Sequence, residues 1–250
     1  MKQYLFILTT LLILLLAACG GEAGGDTAAA TSTAPTADTS AARATPTNAA
    51  TEVTDADAHD TSTAAEDTAL TVTSGRTEDG TYFRGAADAP VTIIDYSDFL
   101  CVTCRGYVLN TEPQIIETYI NSGQVKMIFW PISDFGIGSQ NAHAAADCIG
   151  QQNPEAFWQV HDLFFADQSG LRRADRDYFV AAAAQVGVAA DAFAACYDSG
   201  VGHDNAIALD NARRERGIFN RPTFDINGTL LFGAQPFTAF AETINEALPQ

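Results

Sequence analysis

The chain has 250 residues, of which 31 are acidic against 13 lysines and arginines, for a formal net charge of −18. That balance excludes a nucleic-acid binder, because no basic patch is available to neutralise phosphates. Hydrophobic residues make up 47% of the chain, enough for a globular core, but they are distributed very unevenly.

Met1-Lys2 precedes an apolar run from Leu5 to Ala18. That run is shorter than the roughly 20 residues of a membrane span and suits the apolar region of a secretory signal. It ends in Leu16-Ala17-Ala18-Cys19, which resembles a bacterial lipoprotein box. The resemblance implies a signal peptide at 1–18, cleavage before Cys19 and acylation of Cys19. Several acyl chains together anchor a protein stably. An ordinary signal peptide with an incidental cysteine is the alternative. Either way the mature protein is expected on the extracytoplasmic side, where disulfides persist.

Residues 19–74 are mostly Ala, Thr, Ser, Asp and Glu; from Gly20 on, nine acids face Arg43 alone. Such a segment cannot bury enough apolar surface to offset its ordering entropy, so a disordered tether is predicted. Its root-mean-square reach is about 40 Å. The remaining stretch, 75–250, is long enough for one domain with a substantial core.

Within that domain, Tyr82–Arg84 reads as a short edge strand and Ala86–Pro90 as a loop. Val91–Tyr96 is an apolar run broken only by Thr92 and Asp95, as for a strand covered on both faces. A helix starts at Cys101, kinks at Pro113 and stops at Asn121-Ser122-Gly123. Val125–Pro131 is a second buried strand. Strand, helix, strand in this order predicts a parallel crossover.

From about 138 to 217 the apolar period is helical, with helices over Ala142–Ile149, Pro154–Ala166, Asp175–Val186, Asp191–Ser199 and His203–Arg216. The sheet reopens at Thr223–Ile226, turns at Asn227-Gly228 and returns over Thr229–Phe232. A last helix covers Pro236–Leu248. The pattern is an α/β, thioredoxin-like fold with an inserted α-helical subdomain.

Cys101-Val102-Thr103-Cys104 places two sulfurs one above the other on a helix. Cys101 is expected in the first turn, where unpaired N–H groups and the helix dipole favour a thiolate. Cys104, one turn further in, is the shielded thiol that resolves a mixed disulfide. Val102 and Thr103 carry no charge, so Cys101 is expected to be acidified without reaching an extreme. The competing readings are half of a metal site and a purely structural disulfide. Zinc needs four ligands at compatible spacing, and the sequence offers no second Cys-x-x-Cys. Copper needs only two thiolates and a histidine, so a copper chaperone stays open.

Two stretches carry a family resemblance. Val91–Cys104, reading Val-Thr-Ile-Ile-Asp-Tyr-Ser-Asp-Phe-Leu-Cys-Val-Thr-Cys, resembles the active-site segment of DsbA-like thiol–disulfide oxidoreductases. Arg221-Pro222-Thr223-Phe224-Asp225-Ile226-Asn227-Gly228 resembles the same family's cis-proline loop and following hairpin. The resemblance implies a protein-disulfide oxidoreductase that needs no cofactor beyond its cysteines. Its partners would be extracytoplasmic clients with thiols or disulfides, and a membrane redox partner.

The resemblance also assigns roles. Asp95 falls at the buried acid beneath the disulfide, and Pro222 at the cis-proline facing it. Arg221 departs from the small or β-branched residue usual before that proline, and its guanidinium is a candidate stabiliser of the Cys101 thiolate. Thr103 completes the catalytic set with Cys101, Cys104, Asp95, Pro222 and Arg221. Cys148 and Cys196 lie on insertion helices, and a second disulfide between them is implied because some family members staple this subdomain. A lone buried cysteine that acts as a small hydrophobe and a relay to Cys101–Cys104 are the alternatives. Asp98 is expected near the surface, shaping the turn. His143, His161 and His203 read as packing residues. A binding module without turnover is the remaining alternative to an enzyme.

Overall fold

A computed structural model describes residues 73–249. Cys19, the predicted signal segment and the predicted tether up to residue 72 lie outside the described residues. The described chain forms strands β1 (Ser74–Arg76), β2 (Tyr82–Arg84), β3 (Val91–Ser97), β4 (Val125–Pro131), β5 (Thr223–Ile226) and β6 (Thr229–Phe232). Its α-helices are α1 (Val102–Asn110), α2 (Glu112–Ile115), α3 (Ile137–Gln152), α4 (Pro154–Ala166), α5 (Gln168–Leu171), α6 (Arg176–Gln185), α7 (Ala190–Ser199), α8 (Val201–Glu215) and α9 (Phe237–Ala247). Among the described residues no helix is long and apolar enough to cross a membrane.

One six-stranded sheet has the order β1-β2-β4-β3-β5-β6. The most apolar strands, β3 and β4, lie side by side and parallel, Ile93 opposite Met127 and Asp95 opposite Phe129. All other pairings are antiparallel. Parallel neighbours need a helical crossover, and the segment after Cys101 supplies it. Tyr82–Arg84 is not the edge that its length suggested. It pairs with β4 on one side and with β1 on the other. Ser74-Gly75-Arg76, which forms the true edge, has no apolar residue to announce a strand and begins one residue before the expected domain boundary.

The crossover helix breaks rather than bends. α1 ends at Asn110, and Pro113 stands at the start of α2, where its missing N–H costs no hydrogen bond. A single wide π turn, Ile116–Ile120, completes the crossover. The α3 helix runs longer than its apolar period indicated, and α5 was not expected at all. Asp167 caps α5 by accepting from the Gly170 N–H at 2.9 Å.

The insertion packs onto the sheet through aromatic rings. Phe99 stands 5.0 Å from Phe129 on β4 and 5.4 and 5.1 Å from Phe164 and Phe165 on α4, centroid to centroid. Close approach of α8 to α3 requires Gly202, since a Cβ there would meet the Ala144 carbonyl oxygen at 2.6 Å. At the other end, Asn227 and Gly228 both have positive φ, 47° and 94°, as a type I′ hairpin requires.

A disulfide joins Cys148 on α3 to Cys196 on α7, with Cα atoms 5.6 Å apart and a sequence separation of 48. Closing a loop of that length removes about 4 kcal/mol of denatured-state entropy on the chain-entropy model. The double variant Cys148→Ser/Cys196→Ser is therefore expected to lose about that much stability in denaturant melts. Equal midpoints for variant and parent would contradict this.

Candidate active site

The reactive dithiol is placed by the end of β3 and the start of α1. Cys101 is the N-cap of α1, one position before the expected first turn, with extended backbone (φ −79°, ψ 121°). Its Sγ occupies the place of a capping oxygen and accepts from the Cys104 N–H at 3.3 Å. Both thiols are free. Cys104 is fully buried behind Cys101, which is itself 6% exposed at the mouth of a shallow cleft. Leu100, Val102, Thr103, Phe135, Arg172 and Arg221 line that cleft.

The two sulfurs are held in opposite states. A hydrogen bond from the Cys104 thiol lowers the Cys101 pKa to about 6, against burial, with help from the Cys104 and Thr103 backbone N–H groups and the Arg221 charge. Thr103 thus contributes through its backbone; its side chain is exposed. Burial, first, and the neighbouring Cys101 push Cys104 far above the ordinary thiol value. One sulfur is a thiolate at neutral pH while the other retains its proton.

Asp95 lies on β3, six residues before Cys101 in sequence, and is 1% exposed. Burial raises its pKa to about 7, although a hydrogen bond from Ser97 and the Arg84 charge pull it down. The Ser97 Oγ donates to Asp95 Oδ1 at 2.5 Å. The Asp95 charge acts on Cys104 and the Cys101 charge acts on Asp95, so acid and dithiol form one electrostatic unit.

Asp98 is not near the surface as expected but fully buried, because the residues after β4 and the first turn of α3 close over it. It accepts from Leu100 N at 2.9 Å, Asp134 N at 3.0 Å and the Ser139 hydroxyl at 2.9 and 2.8 Å. The expected role in shaping the turn is the one its contacts describe.

Pro222 follows a cis peptide bond, and its carbonyl accepts from Gly233 N at 2.8 Å. The Arg221 guanidinium reaches the dithiol cleft, but its charge is shared. It forms an ion pair with Asp134 and stacks 4.7 Å over the Phe135 ring. Asp134 also takes Arg213 at 2.5 Å and Arg214 at 3.1 Å. Arg221 is consequently the last of the named influences on Cys101, behind the hydrogen bonds.

Two residues of the helical insertion fix the active-site loop and were not foreseen. The Gln168 side-chain amide donates to the carbonyls of Phe99 and Cys101 at 2.7 and 2.9 Å. Arg172 donates to the Leu100 carbonyl at 2.6 Å. The Asp-x-x-Gly pattern at Asp167–Gly170 marks the cap that orients Gln168, and it is the signal that could have been read.

The histidines are packing residues. His143 shares a hydrogen bond with the Ile132 carbonyl at 2.8 Å, and His161 with Asp162 at 2.8 Å. Burial lowers both pKa values, which keeps the rings neutral. His203 meets Asn141 at 2.9 Å. Among the described residues, Glu112, His161 and Asp162 are close enough together to hold a metal ion. Glu112 is, however, already ion-paired with Arg84, whose guanidinium stacks 4.2 Å over Trp158. A cation there would have to displace that guanidinium.

An acidified sulfur capping a helix, a protonated one behind it and a buried carboxyl coupled to both are carried on a six-stranded sheet with a helical insertion, the DsbA-like variant of the thioredoxin fold. The chain belongs to the thioredoxin family, which it matches over residues 77–246. Disulfide bond formation protein D of Bacillus subtilis is 32% identical over 84 residues, 34% of this chain and 38% of that protein. The matched stretch therefore spans little more than a third of that curated relative. The fold resembles crystal structures of oxidised BdbD from Bacillus subtilis and of alpha-DsbA1 from Wolbachia pipientis. For BdbD the TM-score is 0.63 at 22% identity, covering 70% of this chain and 97% of that one. For alpha-DsbA1 it is 0.57 at 22% identity, covering 67% and 90%.

Proposed function

We propose that this protein is a thiol–disulfide oxidoreductase that exchanges disulfides with extracytoplasmic client proteins. The observation that carries the reading is the division of labour between the sulfurs: Cys101 acidified to about 6 at a helix cap, Cys104 buried and protonated behind it. A merely structural dithiol has no use for that asymmetry. The relatives named for disulfide formation support it.

The exchange balances as follows. In the oxidised protein a client thiolate attacks Cys101 Sγ. The Cys101–Cys104 bond breaks, and Cys104 leaves as a thiolate that takes the proton of neutral Asp95. A second client thiolate then attacks the client sulfur of the mixed disulfide, and Cys101 departs as a stabilised thiolate. Two client thiols become one client disulfide, and the two electrons rest on the reduced pair. In reverse, ionised Asp95 takes the Cys104 proton so that Cys104 can attack Cys101. Cys101 is the attacking or attacked sulfur, Cys104 resolves, Asp95 moves the proton, and the loop at Arg221-Pro222, with Thr103 across the cleft, borders the client chain. A membrane redox partner restores the oxidised pair. Lipidated Cys19 holds the domain at the membrane, with the acidic segment as its tether.

The test is oxidation of a dithiol peptide and reduction of insulin by the full chain, each with and without copper. Turnover that is lost in Cys101→Ser and unaffected by copper is the expected result. Absence of turnover, together with stoichiometric copper binding by the two thiols, would replace the enzyme by a metal chaperone.

A further inference from the structure

The domain beyond Ser74 has eleven lysines and arginines and is outnumbered two to one by its acids. Most of those cations are neutralised locally, each with a carboxylate oxygen within 4.0 Å. Among the described residues four have no such ion pair: Arg105, Lys126, Arg172 and Arg173. Lys126 lies on β4 and donates to the Ala87 carbonyl. The other three line one cleft together, with Val102 and Gln168 among its walls. That cleft shares Val102 and Arg172 with the cleft that holds Cys101.

None of the three has a carboxylate within ion-pair distance; Arg172 and Arg173 are exposed and Arg105 is half-buried. Arg105 donates to the Phe165 carbonyl at 2.9 Å, and Arg172 to that of Leu100 at 2.6 Å. Neutral acceptors steady the side chains and leave the positive charge uncompensated. Asp167 is the nearby acid, and it feels Arg173. It caps α5, accepting from Gly170 N and Ser169 Oγ at 2.9 Å each, so it stays ionised and offsets part of the Arg173 charge, while Arg105 and Arg172 donate to carbonyls. Exposed apolar side chains line the same cleft, Val102 at 69% and Phe135 at 45% exposure, with Arg221 and Arg172 over the Phe135 ring at 4.7 and 5.9 Å.

We infer that the clefts beside Cys101 form a client-docking surface selective for acidic polypeptide segments, with Arg172, Arg173 and Arg105 as the specificity-determining residues. This rests on the exchange reading above and names the substrate class for it. The occupant is a client chain because the cationic cleft runs into the reactive sulfur: carboxylates on either side of a client cysteine reach the arginines while its sulfur lies over Cys101. On an otherwise acidic molecule, a local positive cleft focuses the field and raises the encounter rate of an anionic partner. Exposed charges are screened within about 10 Å at ordinary ionic strength, so the preference should be salt-sensitive.

The experiment measures the second-order rate of exchange between the oxidised full chain and two single-cysteine peptides that differ only in Glu or Lys beside the cysteine. At low salt the Glu peptide is expected to react about tenfold faster, with the ratio shrinking toward one at about 0.5 M salt. In Arg172→Gln/Arg173→Gln the low-salt ratio should also fall toward one. General damage would slow both peptides and leave their ratio alone. Equal rates in the parent, or an unchanged ratio in the double variant, would overturn the inference while leaving the exchange reading intact.

A second measurement separates the two ideas from the other side. Anisotropy of fluorescent, serine-for-cysteine versions of both peptides on Cys101→Ser reads charge preference without chemistry. Preference for the Glu peptide there, with no exchange by the parent, would keep the acid-selective surface and discard the enzyme. A third arm uses phosphatidylcholine vesicles with and without phosphatidylglycerol. Retention on the anionic vesicles that depends on Arg172 and Arg173, without peptide discrimination, would give the surface to lipid and overturn the inference.

Discussion

Thiolate absorbance of the reduced protein is expected to rise in one step with a midpoint near pH 6 and no second step below pH 10. With that midpoint about nine-tenths of Cys101 is ionised at pH 7, against about three parts in a hundred for an ordinary thiol. The cause is local: the Cys104 thiol and two first-turn N–H groups point at a sulfur that stands where a capping oxygen would. Arg221 adds less, since Asp134 shares its charge. Arg221→Thr should accordingly raise the midpoint only slightly. Each pKa unit of thiolate stabilisation corresponds to about 1.4 kcal/mol, or about 30 mV for a two-electron couple. Against a strong oxidant with a thiol near 3.5 and a potential of about −120 mV, a thiol near 6 predicts a potential of about −200 mV. A value at or above about −120 mV would refute the assignment of moderate oxidising power. The sign for stability follows from the same shift. The folded thiol is lowered, so its contribution to the reduced form is complete above the ordinary thiol pKa and is lost as pH falls through about 6. Melting of the reduced protein at pH 8 and pH 5, with the oxidised protein as reference, checks this.

Replacing Asp95 by Asn should separate activity from stability. Loss of the proton carrier is expected to slow resolution by Cys104 about 10²- to 10⁴-fold, so that the mixed disulfide at Cys101 accumulates and can be trapped. The pH dependence of resolution should also lose its step near 7. The fold, by contrast, should gain. The folded carboxyl is raised above its ordinary value, so its favourable contribution is present only at low pH and is lost as pH rises through about 7. Asn carries no charge to bury, and the variant should therefore be more stable than the parent at pH 8, by up to about 4 kcal/mol, and alike at pH 4. Unchanged resolution kinetics would remove Asp95 from the mechanism, and a destabilised variant at pH 8 would refute its raised pKa.

Much of this was legible in the chain. The β-branched runs that became β3 and β4 could only be strands covered on both faces, and the Cys-x-x-Cys after β3 could only open a helix. Asn227-Gly228 set its own turn type. The signals that failed were those of segments whose structure comes from partners rather than composition. Ser74–Arg76 became a strand because β2 offered an unpaired edge. Asp98 became buried because α3 arrives from forty residues downstream. Gln168 belongs to a helix of one turn, too short for periodicity to reveal.

By itself the sequence determined the candidate dithiol, five of the six strand segments and the acidity of the whole, because those depend on neighbours within a turn or on counts. Tertiary structure decided which cations keep their charge and which carboxyl loses it. Arg221 is matched by Asp134, Arg105 and Arg172 donate to carbonyls without an ion pair, and Asp95 is stripped of water between the sheet and its helices. Electrostatic energy depends on distance and on excluded water, and neither is fixed until distant parts of the chain close on one another.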